Sequence, residues 1–347
     1  MHDVHQGNAM KVLVTGGAGF VGSHTVVELV AAGHEVRVVE NFCNSERWIV
    51  ERIERITGKK LMLDELDIRD RHALLAVMQD FMPDAVIHFA ALKSVSESTE
   101  MPSRYYDVNV GGTATLLDVM QQVGCNNIVF SSSATVYGQP KCCPVPESAA
   151  VGPGNPYGRT KLIGEWLIRD CVATPGSALG AAILRYFNPV GAHPSGLIGE
   201  LPRGVPNNLA PYITQTAAGE RDYVRVFGDD YDTPDGTGVR DYIHVVDLAK
   251  AHVAALYALA EGSERELTLN LGTGRGYSVL ELIQTFSTVV GFPIPYQRQG
   301  RRAGDIGACW ADPSLANKVL DWRAEKSLLD ICADAWRWQQ AIAVPQG

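Results

Sequence analysis

No apolar run in the chain approaches the ~20 residues that a membrane-spanning helix needs, which excludes a span of that kind. Positive charge is in deficit: 30 Lys and Arg stand against 39 Asp and Glu, a formal net charge of −9. That balance argues against nucleic acid or a membrane surface as partner. It also requires that any anionic ligand be met by a local cluster of Arg, Lys or backbone N–H groups. The seven cysteines, Cys43, Cys125, Cys142, Cys143, Cys171, Cys309 and Cys332, include no C-x-x-C pair and are odd in number. Reduced thiols in the cytoplasm are therefore expected rather than a disulfide framework. Residues 1–9 lack the apolar core of a signal peptide and read as a disordered extension, with Met10 as an alternative start. Internal repeats and low-complexity tracts are missing as well.

What is present is a 347-residue chain with 46% apolar and 20% charged residues, a composition that fits a large buried core. Short β-rich runs at 11–15, 36–40, 61–67, 85–90, 127–132 and 181–186 alternate with helical stretches at 20–32, 46–57, 70–81 and 103–123. A further helix is expected to start near Tyr157, with Asn155 and Pro156 as cap and first-turn residue. This rhythm predicts an α/β fold: a Rossmann-type doubly wound parallel sheet over 10–188, with helices on both faces. After Asn188 the pattern changes, and Gly and Pro become dense through Pro211. Short strands at 223–227, 242–246 and 268–271 mix with helices near 207–218, 247–260 and 279–290. Residues 189–347 thus read as a smaller C-terminal α/β substrate lobe, some of whose segments return to the sheet.

Gly16, Gly19 and Gly22 lie in the run Val14-Thr15-Gly16-Gly17-Ala18-Gly19-Phe20-Val21-Gly22. The run leaves a strand and opens a helix. Bare backbone there lets a pyrophosphate approach, and the helix N-terminus, begun by Phe20 and Val21, offers N–H groups and partial positive charge. Glu40 ends the second strand, 18 residues beyond Gly22. A carboxylate at that point accepts from ribose hydroxyls and repels a 2′-phosphate, which selects NAD over NADP. Asp67, followed by Ile68, ends the third strand, where it can accept from an adenine amino group or simply be a solvated strand end. Phe89 and Ala90 leave the fourth strand as backbone that must run close to the cofactor.

Tyr157 and Lys161 are four apart, which puts both on one face of their helix. A free Tyr, with a pKa of about 10, is too weakly acidic to serve as a base near neutrality. A neighbouring ammonium and a cationic nicotinamide both favour its phenolate. Ser131-Ser132-Ser133 follows the fifth strand, where a hydroxyl, Ser133 above all, can share an alcohol proton with Tyr157. The Tyr-Lys spacing is common by chance; its place after five β–α units is what gives it meaning.

Taken together, stretches such as VLVTGGAGFVGSHT, FSSSATVYG, NPYGRTK, RYFNPVGAHPSG and DGTGVRDYIHV resemble the extended short-chain dehydrogenases/reductases and, within them, the UDP-hexose 4-epimerases. The resemblance runs from about residue 11 to 340. It implies Tyr157 as base, Lys161 as its electrostatic partner and Ser133 as hydroxyl relay. Lys93, Asn109 and Tyr186, with Ser131, would line the nicotinamide side, and Lys93 would also reach substrate. Asn41, Asn44 and Ser45 would meet the adenosine ribose and phosphate. Asn188, Asn208, Leu209, Phe227, Arg240, Arg302 and Asp305 would hold UDP, the two arginines flanking its pyrophosphate. The family's ribose acid is usually Asp, whereas Glu40 is one methylene longer. The position of Cys309 borders the family's sugar pocket; a small residue there goes with acceptance of N-acetyl sugars, and a buried Cys of no such consequence is the other reading. A homodimer through the helices 103–123 and 157–173 is implied. A nucleotide-sugar 4,6-dehydratase would want an Asp-Glu pair after the active-site hydroxyl, where this chain has Ala134-Thr135. A plain dehydrogenase would consume external NAD, and a non-catalytic dinucleotide sensor would be free to lose the Tyr or Lys retained here.

Overall fold

A computed structural model of the chain describes residues 9–262, 264–302 and 304–343. Of the expected N-terminal extension, residues 1–8 lie outside the described residues. Seven parallel strands form the central sheet, in the spatial order Glu266–Leu271, Gly180–Tyr186, Asn127–Ser133, Ala85–His88, Lys11–Thr15, Glu35–Glu40, Met62–Glu65. The order reverses between Lys11–Thr15 and Ala85–His88. That switch point opens a crevice at the carboxyl ends of the strands, where ligands bind in such folds.

Both faces of the sheet are covered, so the central strands are apolar at consecutive positions rather than alternating with polar ones. Val12, Val14, Ile87, Val129, Ala182 and Leu184 pack to one side, and Leu13, Val86, Ile128, Phe130, Ala181 and Ile183 to the other. Helix Phe20–Ala31 lies against helix Val245–Ala260 on the first side. Gly112–Val123 and Pro156–Ala173 cover the second, their Leu116, Met120 and Ile168 within its core. The last strand, Glu266–Leu271, comes from far along the chain and forms the sheet's edge beside Gly180–Tyr186.

The remaining C-terminal segments build a smaller body. Helices Leu209–Ala217, Val279–Val290 and Leu328–Ala343 share a core of Val190, Ile213, Val224, Leu282, Phe286 and Ile331. Around it lie short strand pairs, Asn188–Val190 with Tyr242–His244 and Val224–Phe227 with Tyr296–Gln299, and a three-stranded group of Tyr277–Ser278, Val239–Arg240 and Ala308–Cys309.

Three places differ in kind or extent from the sequence expectation. The stretch 103–123 is not one α-helix: Pro102–Tyr105 is α, Tyr106–Gly111 widens to a π-helix, and Gly112–Val123 resumes α. The widened turn carries Asn109, whose amide bonds outside the helix, and such bulges are frequent at functional sites. A short helix, Val95–Glu100, precedes it unforeseen; its Ser94 cap accepts from the Glu97 N–H at 3.2 Å. The strand expected at 242–246 stops at His244, whose ring nitrogen caps the following helix by accepting from the Val246 N–H at 3.1 Å.

Candidate active site

The glycine turn is built by close approach. Gly16 has φ +72°, and a Cβ there would lie 2.8 Å from the Ala90 nitrogen. A Cβ on Gly22 would lie 2.2 Å from the Gly16 carbonyl oxygen. Only a chain without side chains packs in this way. Gly19 caps helix Phe20–Ala31 with no side-chain hydrogen bond, so no side chain competes for the first N–H groups of the helix, the arrangement that suits a pyrophosphate. Phe89 and Ala90 follow from the adjacent strand, the Phe89 N–H donating to the Thr15 carbonyl at 3.0 Å and its ring resting 4.8 Å from that of His252.

Glu40 is buried at the end of its strand. One carboxylate oxygen accepts from the Asn41 and Phe42 N–H groups at 3.0 and 3.2 Å, the other from Ala18 at 3.3 Å. Burial pushes its carboxyl up, and these N–H groups pull it back down. The extra methylene relative to Asp lets the carboxylate tie its own strand end to the glycine turn. Asp67 accepts from Arg69 at 2.9 and 2.7 Å and from the Asn41 amide at 3.2 Å, and the Arg69 guanidinium lowers its carboxyl to about 2. The neighbouring Ile68 packs where a Cβ on Gly112 would fall 2.5 Å from it. Asn44 is exposed and Ser45 buried on the loop beyond Glu40.

Asn155 caps helix Pro156–Ala173, accepting from the Gly158 N–H at 2.9 Å, with Pro156 in the first turn as expected. This sets Tyr157 in the first turn of the helix and Lys161 one turn further along it, both buried. Burial pushes the Tyr157 phenol up, and the adjacent Ser133 hydroxyl draws it down. Ser133 in turn accepts from both the backbone N–H and the hydroxyl of Thr135, at 3.2 and 2.9 Å. With both lone pairs occupied, its own proton is left to donate. Lys161 donates to the Ser131 carbonyl at 2.7 Å, and burial lowers its ammonium to about 7. The Ser131 hydroxyl is hydrogen-bonded to the Tyr186 hydroxyl. Asn109 spends its amide on protein: it accepts from the Leu92 N–H at 2.8 Å and donates to the Leu92 carbonyl and the Thr160 hydroxyl at 3.0 and 2.9 Å. It therefore pins the loop after the fourth strand to the catalytic helix.

The residues expected to hold UDP lie on the smaller body. Asn208 begins helix Leu209–Ala217 without capping it, its amide going to Glu200 at 2.6 Å. Glu200 also accepts from Lys93 at 2.8 Å. The Arg302 guanidinium lies 4.6 Å from the Phe227 ring and bonds Asp305 at 2.9 Å. Arg240 donates to the Val239 and Ile306 carbonyls, each at 2.8 Å, and so braces the segment leading to Cys309. Asn188 is exposed at the head of its strand. Cys309 is buried with Val136, Tyr137, Leu162 and Phe187, and burial pushes its thiol up to about 12.

Residues 13–335 match the family model described as GDP-mannose 4,6 dehydratase, which embraces the extended short-chain dehydrogenases/reductases. The UDP-glucose 4-epimerase of Bacillus subtilis is 51% identical over 332 residues, spanning 96% of this chain and 97% of that protein. The human UDP-glucose 4-epimerase is 50% identical over 339 residues, spanning 96% and 97%. The chain belongs to the UDP-glucose 4-epimerase family. Solved structures agree. A Stenotrophomonas UDP-glucose-4-epimerase with bound NAD and formylated UDP-arabinopyranose superposes with a TM-score of 0.94 at 56% identity, covering 96% of this chain and 99% of that one. The Bifidobacterium longum enzyme in complex with NAD+ and UDP gives 0.90 at 50% identity, with coverage of 95% and 98%. Like the family, the chain is an NAD-dependent isomerase. Among the described residues no helix is long and apolar enough to cross a membrane.

Behind the epimerase site lies a buried network that sequence reading missed. Glu165, fully buried, accepts from the Ser132 hydroxyl at 2.5 Å and from Arg185 at 2.9 and 2.6 Å. It stands one turn beyond Lys161 on the same helix face, while Ser132 and Arg185 are register partners in adjacent strands. A charged pair within otherwise apolar core segments was the signal available.

Proposed function

We propose that this site inverts carbon 4 of a UDP-hexose, interconverting UDP-glucose and UDP-galactose, with Tyr157 as base. The observation that carries the reading is the meeting of Tyr157, a donor-directed Ser133 and Lys161 beside the side-chain-free turn. The residues after Ser133 add no carboxylate with which to eliminate water, so a dehydratase is disfavoured. NAD, when bound, supplies the hydride acceptor and donor for carbon 4, taking the sugar through a 4-keto state with no net redox change.

Tyr157 takes the proton of the 4-hydroxyl and later returns it. Ser133, its lone pairs filled by Thr135, turns its own proton toward the phenol oxygen and stabilises the phenolate. Lys161 keeps its place through the Ser131 carbonyl and holds the nicotinamide ribose with its remaining donors. Glu40 receives the adenosine ribose, next to Asn41, Asn44 and Ser45. Asn188, Asn208, Leu209, Phe227, Arg240, Arg302 and Asp305 hold UDP while the sugar turns over. The side chain at 309 is small, so the sugar pocket has room for an acetamido group, and UDP-GlcNAc and UDP-GalNAc are substrates too.

Incubation without added NAD tests both statements. UDP-galactose and UDP-GalNAc are each expected to reach a mixture with their 4-epimers. Cys309→Tyr is expected to keep the first conversion and lose the second. No turnover of UDP-GalNAc at saturation would sink the wider sugar range. No turnover of UDP-galactose, even with NAD supplied, would sink the epimerase reading.

Two copies are proposed to pair through the segment 103–123 and helix Pro156–Ala173. Trp166 on that helix is 52% exposed, which favours a covered face. Equilibrium sedimentation is expected to give twice the chain mass; a single-chain mass at micromolar concentration would overturn the pairing. A cytoplasmic location is supported by seven free thiols.

A further inference from the structure

The segment 197–208, which leads into helix Leu209–Ala217, crosses the carboxyl edge of the parallel sheet and is fastened to both halves of it. At its start Arg52 donates to the Leu197 carbonyl at 3.0 Å, and in its middle Trp338 donates to the Glu200 carbonyl at 2.9 Å. Toward the catalytic half, Glu200 takes Lys93 at 2.8 Å, and Asn207 donates to Ser94 at 3.1 Å. Toward the other half, Arg52 holds the start of the segment, and one side chain further on grips the loop itself. Arg203 donates to the carbonyls of Cys43, Ser45 and Phe42 at 2.6, 2.9 and 3.3 Å, and to the Glu46 carboxylate at 2.8 Å.

The loop it grips is the one that leaves Glu40. Phe42 within that loop has φ +53°, a left-handed conformation that a side chain adopts at a cost, so the loop needs holding from outside. Glu40 holds it from below through the Asn41 and Phe42 N–H groups, and Arg203 holds it from above through its carbonyls. A planar guanidinium spreads its donors over several acceptors, which an ammonium does poorly.

We propose that Arg203 is a cofactor-retention residue: it clasps the loop after Glu40 to the segment 197–208, and a dinucleotide leaves the crevice only when that clasp opens. This rests on the NAD-dependent epimerase reading. Arg203 touches neither Tyr157 nor the groups around it, so its loss changes how long NAD stays rather than the chemistry done while it is there.

The test measures NAD itself. Wild type, Arg203→Ala and Arg203→Lys are saturated with NAD, passed through gel filtration, and the nucleotide left on each is released by denaturation and quantified over time. Arg203→Ala is expected to lose NAD roughly tenfold faster, the scale of losing hydrogen bonds from a charged donor. Arg203→Lys is expected to fall between. Added NAD is expected to restore epimerisation by Arg203→Ala to near the wild-type rate, which shows the fold intact. Equal NAD loss from wild type and Arg203→Ala overturns the retention role alone. Wild-type protein that never holds NAD overturns the reading on which it rests.

Discussion

Tyr157→Phe is expected to lower kcat for UDP-galactose epimerisation by roughly a thousandfold or more, within the range for loss of a positioned acid–base group. Binding of NAD and UDP should change little. The Phe ring keeps the packing that Tyr157 makes with Leu92 and Tyr105, so the protein should unfold at the wild-type temperature. What is lost is one oxygen, the atom that Ser133 faces. Ser133→Ala should give a smaller drop, because the phenol remains and only its hydrogen-bond donor goes. Comparison of kcat and KM for the two variants checks this ordering. A fall of only a few-fold in Tyr157→Phe would show that the proton leaves by another group.

Glu165→Gln carries the second large expected effect, on stability. Both members of the Glu165–Arg185 pair are almost wholly out of water, with side-chain exposures of 0% and 5%. Removing one charge leaves the other buried and uncompensated, which costs about 3–5 kcal/mol. The loss should be read as a lower denaturant midpoint. Replacing both residues by Met removes both charges together, so the double variant should be more stable than Glu165→Gln alone. A Glu165→Gln midpoint equal to wild type would mean that water reaches the Arg185 guanidinium and makes good the missing carboxylate.

The cofactor half of the site was legible because its signals are local. The glycine turn, the acid at the end of the second strand and the Asn-Pro helix start each act within a few residues of themselves, and their chemistry shows in the residue types. The parallel sheet was legible for a related reason: strands buried on both faces are apolar at consecutive positions, and Val12 to Val14 is such a run. The widened turn at 106–111 was not legible, since periodicity reports an average pitch and the bulge serves a bond from Asn109 to a residue 51 positions away. Arg203 was invisible for the same cause, its partners lying some 160 positions earlier. Arg240 and Asp67, expected to meet ligand, also bond within the protein, to carbonyls and to Arg69 respectively, contacts that spacing does not announce. The spacing of residues says which side chains can reach a site, but not which of them the protein has already engaged.

The edge strand Glu266–Leu271 has a consequence during synthesis. Every other strand of the sheet has been made by Tyr186, and the glycine turn, Tyr157 and Lys161 are complete by then. Yet Gly180–Tyr186 then has its outer row of N–H and C=O groups open to any passing strand, and it stays so while about eighty more residues leave the ribosome. Helix Val245–Ala260, which covers the same end of the sheet, arrives in that same late stretch. The nascent chain thus passes through an interval in which its catalytic residues are present but its sheet is still sticky, and a chain cut after residue 188 would be held there permanently.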